Sequence, residues 1–175
     1  LTARIQKKIS IPLHTIKEGV SELTFRTRLN EPEVYANCSF NGDVDVSVKL
    51  TAGDGDYLCE IAVVSTGHFI CDRCLDEFTR KVEASGAVMF TKHSSGGSDE
   101  TESYHIIEPS ATEIDLSEDI IDLLLIEVPV KILCHQECKG LCPECGINLN
   151  RDTCTCSRDQ IDPRWEGLKN VDFSK

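Results

Sequence analysis

The chain has 175 residues, 40% of them hydrophobic and 27% charged, which suits one globular domain or a domain with a small appended module. It contains no run of about 18 apolar residues, so no segment reads as a membrane-spanning helix, and the opening residues do not read as a secretory signal. The net charge of −12 argues against a general nucleic-acid binder, but the acid is unevenly spread. Residues 1–92 carry 11 basic and 13 acidic side chains, residues 93–130 carry ten carboxylates and no Lys or Arg, and residues 131–175 carry seven of each.

The predicted elements begin with a strand over residues 2–12. Residues 17–19 read as a turn, and a second strand runs over 20–29 with Leu23, Phe25, Thr27 and Leu29 on one face. Asn30, Glu31 and Pro32 break it. From Gly42 onward, Val44, Val46, Val48 and Leu50 alternate with Asp43, Asp45, Ser47 and Lys49, which predicts a half-buried strand. Gly53-Asp54-Gly55 supplies a hairpin turn. Residues 57–65 form the next β-run, extendable through 67–70, and residues 78–90 another.

Residues 93–102 read as a flexible polar loop and residues 104–107 as a short strand. One helix is predicted over 115–128. Asp115 caps it with Glu118 in the capping-box position, and acid at 118, 119 and 122 suits its positive start. Ile120, Leu123 and Leu124, widened by Ile121, Leu125 and Val128, form its apolar face, and Pro129 ends it. Trp165 and Leu168 in the tail are expected to pack back onto the body. The class is α+β: an antiparallel β-rich body with one main helix over residues 1–130, then a cysteine-rich, metal-binding tail of knuckle or ribbon type over 131–175, packed on the body.

Eight of the ten cysteines fall in close pairs: Cys71 with Cys74, Cys134 with Cys138, Cys142 with Cys145, and Cys154 with Cys156. Close pairing in a chain without a secretory signal suits metal chelation better than disulfides. Residues 133–157 hold six of them and too few apolar residues for a core, so metal would supply the folding free energy there. Cys142-Pro143-Glu144-Cys145-Gly146 is the strongest motif, because two thiolates two residues apart grip one ion from a tight turn and Gly146 permits a left-handed backbone. The polar stretch 148–152 then returns the chain to Cys154 and Cys156.

Cys71 and Cys74 follow a β-run, as a knuckle at a strand end would. A redox dithiol and an inert pair are the alternatives, although a thioredoxin-like dithiol opens a helix in a βαβ setting and this one does not. The simplest partition is two tetrahedral zinc sites. Cys71, Cys74, Cys134 and Cys138 would fasten the tail to the body, and Cys142, Cys145, Cys154 and Cys156 would form a local site. A second partition moves Cys138 to the local site and frees Cys154 or Cys156. His68 and His135 are spare donors, and Cys38 and Cys59 read as small buried hydrophobes. There is no Gly-rich phosphate loop and no helix-borne His-Glu-x-x-His, and an all-cysteine site keeps no open coordination position, so no catalytic residue is assigned.

Taken in order, several features resemble the YceD-like family, the large ribosomal RNA subunit accumulation proteins of bacteria and plastids. They are Cys71-Asp72-Arg73-Cys74-Leu75, the acidic-to-apolar helix ending at Val128-Pro129, the run from Cys138-Lys139-Gly140-Leu141-Cys142 through Asn148-Leu149-Asn150, and Asp162-Pro163-Arg164. The resemblance runs from about Gly42 to Leu168. It implies a small α+β protein that is not an enzyme, that supports large ribosomal RNA accumulation and large-subunit biogenesis, and that works in the bacterial cytoplasm or the plastid stroma. Its partners would be large-subunit ribosomal RNA or a ribosomal protein on an assembly intermediate, with no membrane. Arg73, Arg80, Lys81, Lys139 and Arg151 are the candidate contact residues. The competing readings are a zinc-stabilised protein-binding adaptor and a thiol oxidoreductase using Cys71 and Cys74.

Overall fold

The computed structural model describes residues 8–35, 37–92, 104–156 and 164. The elements are β1 (Ser10–Pro12), a 3-10 turn (Leu13–Thr15), β2 (Gly19–Tyr35), β3 (Cys38–Gly53), β4 (Asp56–Ile70), β5 (Glu77–Thr91), β6 (Tyr104–Ile106), β7 (Glu113–Asp115) and α1 (Ser117–Ile126). Strands β2 to β6 form one sheet in chain order, antiparallel throughout except that β6 joins β5 in parallel. Strands β1 and β7 form a separate antiparallel ribbon.

Alternation decides which face of the sheet is buried. Val44, Val46, Val48 and Leu50 of β3 lie on the same side as Cys59, Ile61 and Val63 of β4 and Val82, Ala84 and Val88 of β5, all of them buried. Val46 opposes Val63 and Val63 opposes Ala84, so β-branched and small side chains stack across strands. Helix α1 covers this face through Ile120 and Leu124, both buried. Gly86 makes room for it, since a Cβ there would lie 2.5 Å from Leu123 Cδ2. Asp54 and Gly55 both have positive φ, the signature of a primed two-residue hairpin turn.

Three elements depart from the sequence reading. Strand β2 runs through Pro32 to Tyr35 instead of breaking at Asn30, with a register shift between Glu31 and Tyr35. It is an edge strand, where a missing donor is tolerated and a bulge absorbs the irregularity. The helix is shorter than 115–128, because Asp115 pairs with Ser10 in the β1–β7 ribbon. The Asp115 carboxylate still accepts the Ser117 N–H at 3.0 Å, serving the first turn from just outside it. The first strand is seen only from Ser10; its predicted earlier residues 2–7, the 93–102 loop and the packing of Trp165 and Leu168 lie outside the described residues.

The long strands set up two ends. At one, the 71–76 loop joins β4 to β5 beside the β2–β3 connection, where Ile70 N–H donates to Asn37 O at 2.9 Å. Phe40, Phe69 and Phe78 fill the sheet beneath it, with ring centroids 6.3 and 5.6 Å apart in succession. Gly67 admits the Phe69 ring, 2.5 Å from where a Cβ would stand. Since Leu124 is 1% exposed, Leu124→Ala should lower unfolding stability by about 2–5 kcal/mol, read as a reduced midpoint in denaturant. An unchanged midpoint would show that α1 is not part of the core.

Candidate metal centres

The first centre is built by two distant parts of the chain. The β4–β5 loop contributes Cys71 and Cys74, and the segment after α1 contributes Cys134 and Cys138. Backbone pairing locks the parts together: Asp72 N–H donates to Ile132 O at 2.8 Å, and Ile132 N–H returns to Asp72 Oδ2 at 2.6 Å. Asn37 Nδ2 donates to the other Asp72 oxygen at 2.9 Å, so one carboxylate ties together the sheet end, the loop and the tail. Arg73 Nη1 donates to Cys138 O at 2.8 Å, and Leu141 N–H donates to Arg73 O at 3.1 Å. Gly140 sits at that crossing with φ 76° and leaves only 3.0 Å between a built Cβ and Arg73 O.

The second centre is local: Cys142, Cys145, Cys154 and Cys156 all come from one stretch of chain. Its turn repeats the first one bond for bond. Gly146 N–H donates to Cys142 O as Leu75 N–H donates to Cys71 O, both at 2.9 Å. Cys142 N–H donates to Ile147 O as Cys71 N–H donates to Asp76 O, at 2.8 and 2.9 Å. Both turns need a left-handed residue after the second cysteine. Gly146 adopts it freely at φ 73°, whereas Leu75 is held there at φ 60°, a conformation unusual for a bulky residue. The centres differ in access: Cys71, Cys74 and Cys138 are buried, while Cys145 is exposed.

Both donor sets fit a tetrahedral thiolate site. A metal–sulfur length of about 2.3 Å implies sulfurs about 3.8 Å apart along each edge. The observed separations are 3.8 Å for Cys71–Cys138, 3.7 Å for Cys74–Cys134 and 3.4 Å for Cys142–Cys154, with all four sulfurs of each set within 4.8 Å. These distances are far beyond a disulfide bond of about 2 Å, and all ten cysteines are free.

The thiol acidities split as they should in clusters of like groups. Burial pushes the Cys71 thiol up, but N–H groups of Cys134, Cys74 and Arg73 outweigh it and bring Cys71 down to about 6. The N–H groups of Cys145 and Glu144 bring Cys142 down to about 6 as well. Burial, and then the neighbouring sulfurs, raises Cys74. The Cys145 sulfur beside it raises Cys156 to about 12. Cys71 and Cys142 are therefore the thiols most easily ionised, one in each centre, whereas Cys74 and Cys156 hold their protons more firmly.

Grouping the sulfurs places Cys138 with Cys71, as the simpler partition has it, and not with Cys142. His135 Nδ1 lies 3.1 Å from Cys134 Sγ, outside the four-sulfur set. Cys38 and Cys59 are buried away from both centres, and burial raises each to about 11. Arg73 touches the first centre through its backbone N–H, while its guanidinium holds the tail carbonyl. Asp72, Asp76, Asn148 and Asn150 were not singled out by the sequence reading, although all four lie inside or beside the cysteine motifs. Asp76 accepts Asn148 Nδ2 at 2.9 Å and pairs with Arg151 Nη2 at 2.9 Å, linking the two turns.

A small β-rich protein whose sheet end and carboxy-terminal segment meet at two four-thiol centres is the class so defined. The family model described as "Large ribosomal RNA subunit accumulation protein YceD" matches residues 60–172, more than half of the sequence, and the chain belongs to this family. The match begins within β4, later than Gly42, and takes in both centres. An uncharacterized protein of Mycobacterium tuberculosis is 34% identical over 126 residues, covering 72% of this chain and 59% of its own length. The chain thus spans about three fifths of that relative's length. The chloroplastic large ribosomal RNA subunit accumulation protein YCED homolog 1 of Arabidopsis thaliana is 40% identical over 63 residues, 36% of this chain and 20% of that protein. Its Zea mays counterpart is 47% identical over 45 residues, 25% of this chain and 15% of that protein. No solved structure matches the chain.

Because protons must leave Cys74 and Cys156 for the sulfurs to act as ligands, metal uptake near neutral pH should acidify a weakly buffered solution. Apparent affinity should fall as pH drops through about 6, where Cys71 and Cys142 also protonate. Proton-free, pH-independent uptake in an isothermal titration would contradict the thiolate assignment. Cys142→Ser should lower the bound metal by one ion per chain and loosen the tail alone. Cys71→Ser should lose one ion and destabilise the junction of tail and sheet. Elemental analysis with limited proteolysis reads both outcomes.

Proposed function

We propose that this protein is a non-enzymatic factor, stabilised by two zinc ions, that supports accumulation of the large ribosomal RNA and so the biogenesis of the large subunit. The observation that carries this reading is the family match, which spans both four-sulfur centres and the residues that clamp them. All-sulfur tetrahedral donors favour zinc among the common divalent ions. Four sulfurs also fill the coordination sphere and leave no position for substrate, which favours binding over catalysis. Residues 1–130 and 131–175 act as body and tail of one unit, since the first centre draws ligands from each. The bacterial cytoplasm or the plastid stroma is the fitting compartment, in keeping with mycobacterial and chloroplastic relatives. Among the described residues, no helix is long and apolar enough to cross a membrane.

The partner is large-subunit ribosomal RNA or a ribosomal protein on an assembling particle. On the outer face of the sheet Arg26, Arg28, Lys49 and Lys81 each lie against Asp43, Asp45, Glu60 or Glu83, so that face offers phosphate little uncompensated charge. Arg151 is likewise engaged by Asp76. Arg73 and Lys139 line an open cleft of about 580 Å³ between the two centres, with Leu149, Asp152 and Thr153, and they are the contact residues this reading favours.

Depletion should lower large ribosomal RNA relative to small and shift subunit profiles accordingly, and unchanged ratios would remove the proposal in favour of a protein-binding adaptor. In the metal-loaded Arg73→Glu, Lys139→Glu variant, complementation should fail. Full complementation would move the working surface to the β-body. Binding that weakens steeply with salt identifies RNA as the direct contact, and binding that survives ribonuclease identifies a protein.

A further inference from the structure

One side chain of the second centre's loop touches the first centre. Asn150 Nδ2 lies 3.3 Å from Cys138 Sγ, a sulfur of the first centre. The same amide is fixed on the loop that closes the second centre. Its Oδ1 accepts the Lys139 N–H at 2.7 Å, and Asn148 Oδ1 accepts both the Asn150 backbone N–H and Nδ2 at 3.0 Å. That loop, residues 146–153, is the span between Cys145 and Cys154. Besides backbone bonds from Leu149 to Gly140 and from Cys142 to Ile147, it is anchored on Asp76, on the turn that carries Cys71 and Cys74.

We propose that Asn150 couples the two centres, so that filling either one raises the affinity of the other. The inference rests on both centres holding metal. When the first centre is filled, the Cys138 sulfur is held in one place, and the bond from Asn150 is held with it. That fixes residues 148–150, so the second centre closes around a span already ordered. In the other direction, a filled second centre holds that span and keeps the Asn150 donor against Cys138. The two effects are one free energy and must be equal in size.

The test uses the full chain, stripped of metal and titrated with cobalt(II) alone, followed by thiolate-to-metal charge-transfer absorbance and native mass spectrometry. The wild type should pass from metal-free to doubly loaded protein with little singly loaded species, a coupling on the order of tenfold. Asn150→Asp keeps the acceptor for Lys139 and removes the donor to Cys138, together with the side-chain bond to Asn148. It should still bind two ions but accumulate singly loaded protein, with the coupling lost. Asp76→Ala, which releases Asn148 and Arg151 and removes no side-chain bond to a sulfur, should do the same and serves if Asn150→Asp does not fold. A statistical mixture in the wild type, or full cooperativity in both variants, would overturn the coupling while leaving the metal reading intact. Failure of the wild type to bind cobalt at all would overturn both.

Discussion

The cysteine-bearing end of this molecule depends on four sulfurs meeting within 4.8 Å although Cys71 and Cys138 stand 67 residues apart in the chain. Closing so long a loop carries a conformational cost that grows with its length, and four bare thiols offer little to offset it. The covalent neighbours do part of the work. Strands β4 and β5 deliver Cys71 and Cys74 on a tight hairpin end, and α1 delivers residues 132–138 to the same place. Asp72 and Arg73 then lace the two together through backbone groups. A metal ion bound by the four sulfurs would add to the bonds that already join the tail to the sheet end.

Charge gives the arrangement a second consequence. Four thiolates around a divalent cation carry a net charge of about −2, so filling the centres deepens the acidity of a chain that already stands at −12. The N–H groups directed at Cys71 and Cys142 answer part of that charge locally. Arg73 and Lys139, at the cleft between the centres, answer more of it. The cleft therefore presents a mixed field and not a plain basic patch, which argues against general affinity for nucleic acid.

Much of this was legible from the residues. Strict alternation at Val44 to Leu50 specified β3 and its buried face, and the close spacing specified the four cysteine pairs, because each signal is local; which pairs share a centre stayed open between two partitions until the fold brought Cys138 to Cys71. What escaped the reading is non-local. Asp115 looked like a helix cap until Ser10 claimed its backbone for a ribbon, and Pro32 looked like a break because its place at a sheet edge is a tertiary fact. Asn148 and Asn150 read as loop residues, and their value appears only once Asp76 and Cys138 are brought beside them. Leu75 gave no sign of its left-handed backbone, since that conformation follows from the turn bonds of the knuckle and not from leucine's own preference.

X-ray absorption at the metal edge of protein purified without added metal measures the coordination at the two centres directly. The expected result is zinc in both centres with a first shell of four sulfurs at about 2.3 Å and no lighter ligand. A shell containing nitrogen or oxygen in place of sulfur, or sulfur–sulfur bonds of about 2 Å with no metal, would contradict it.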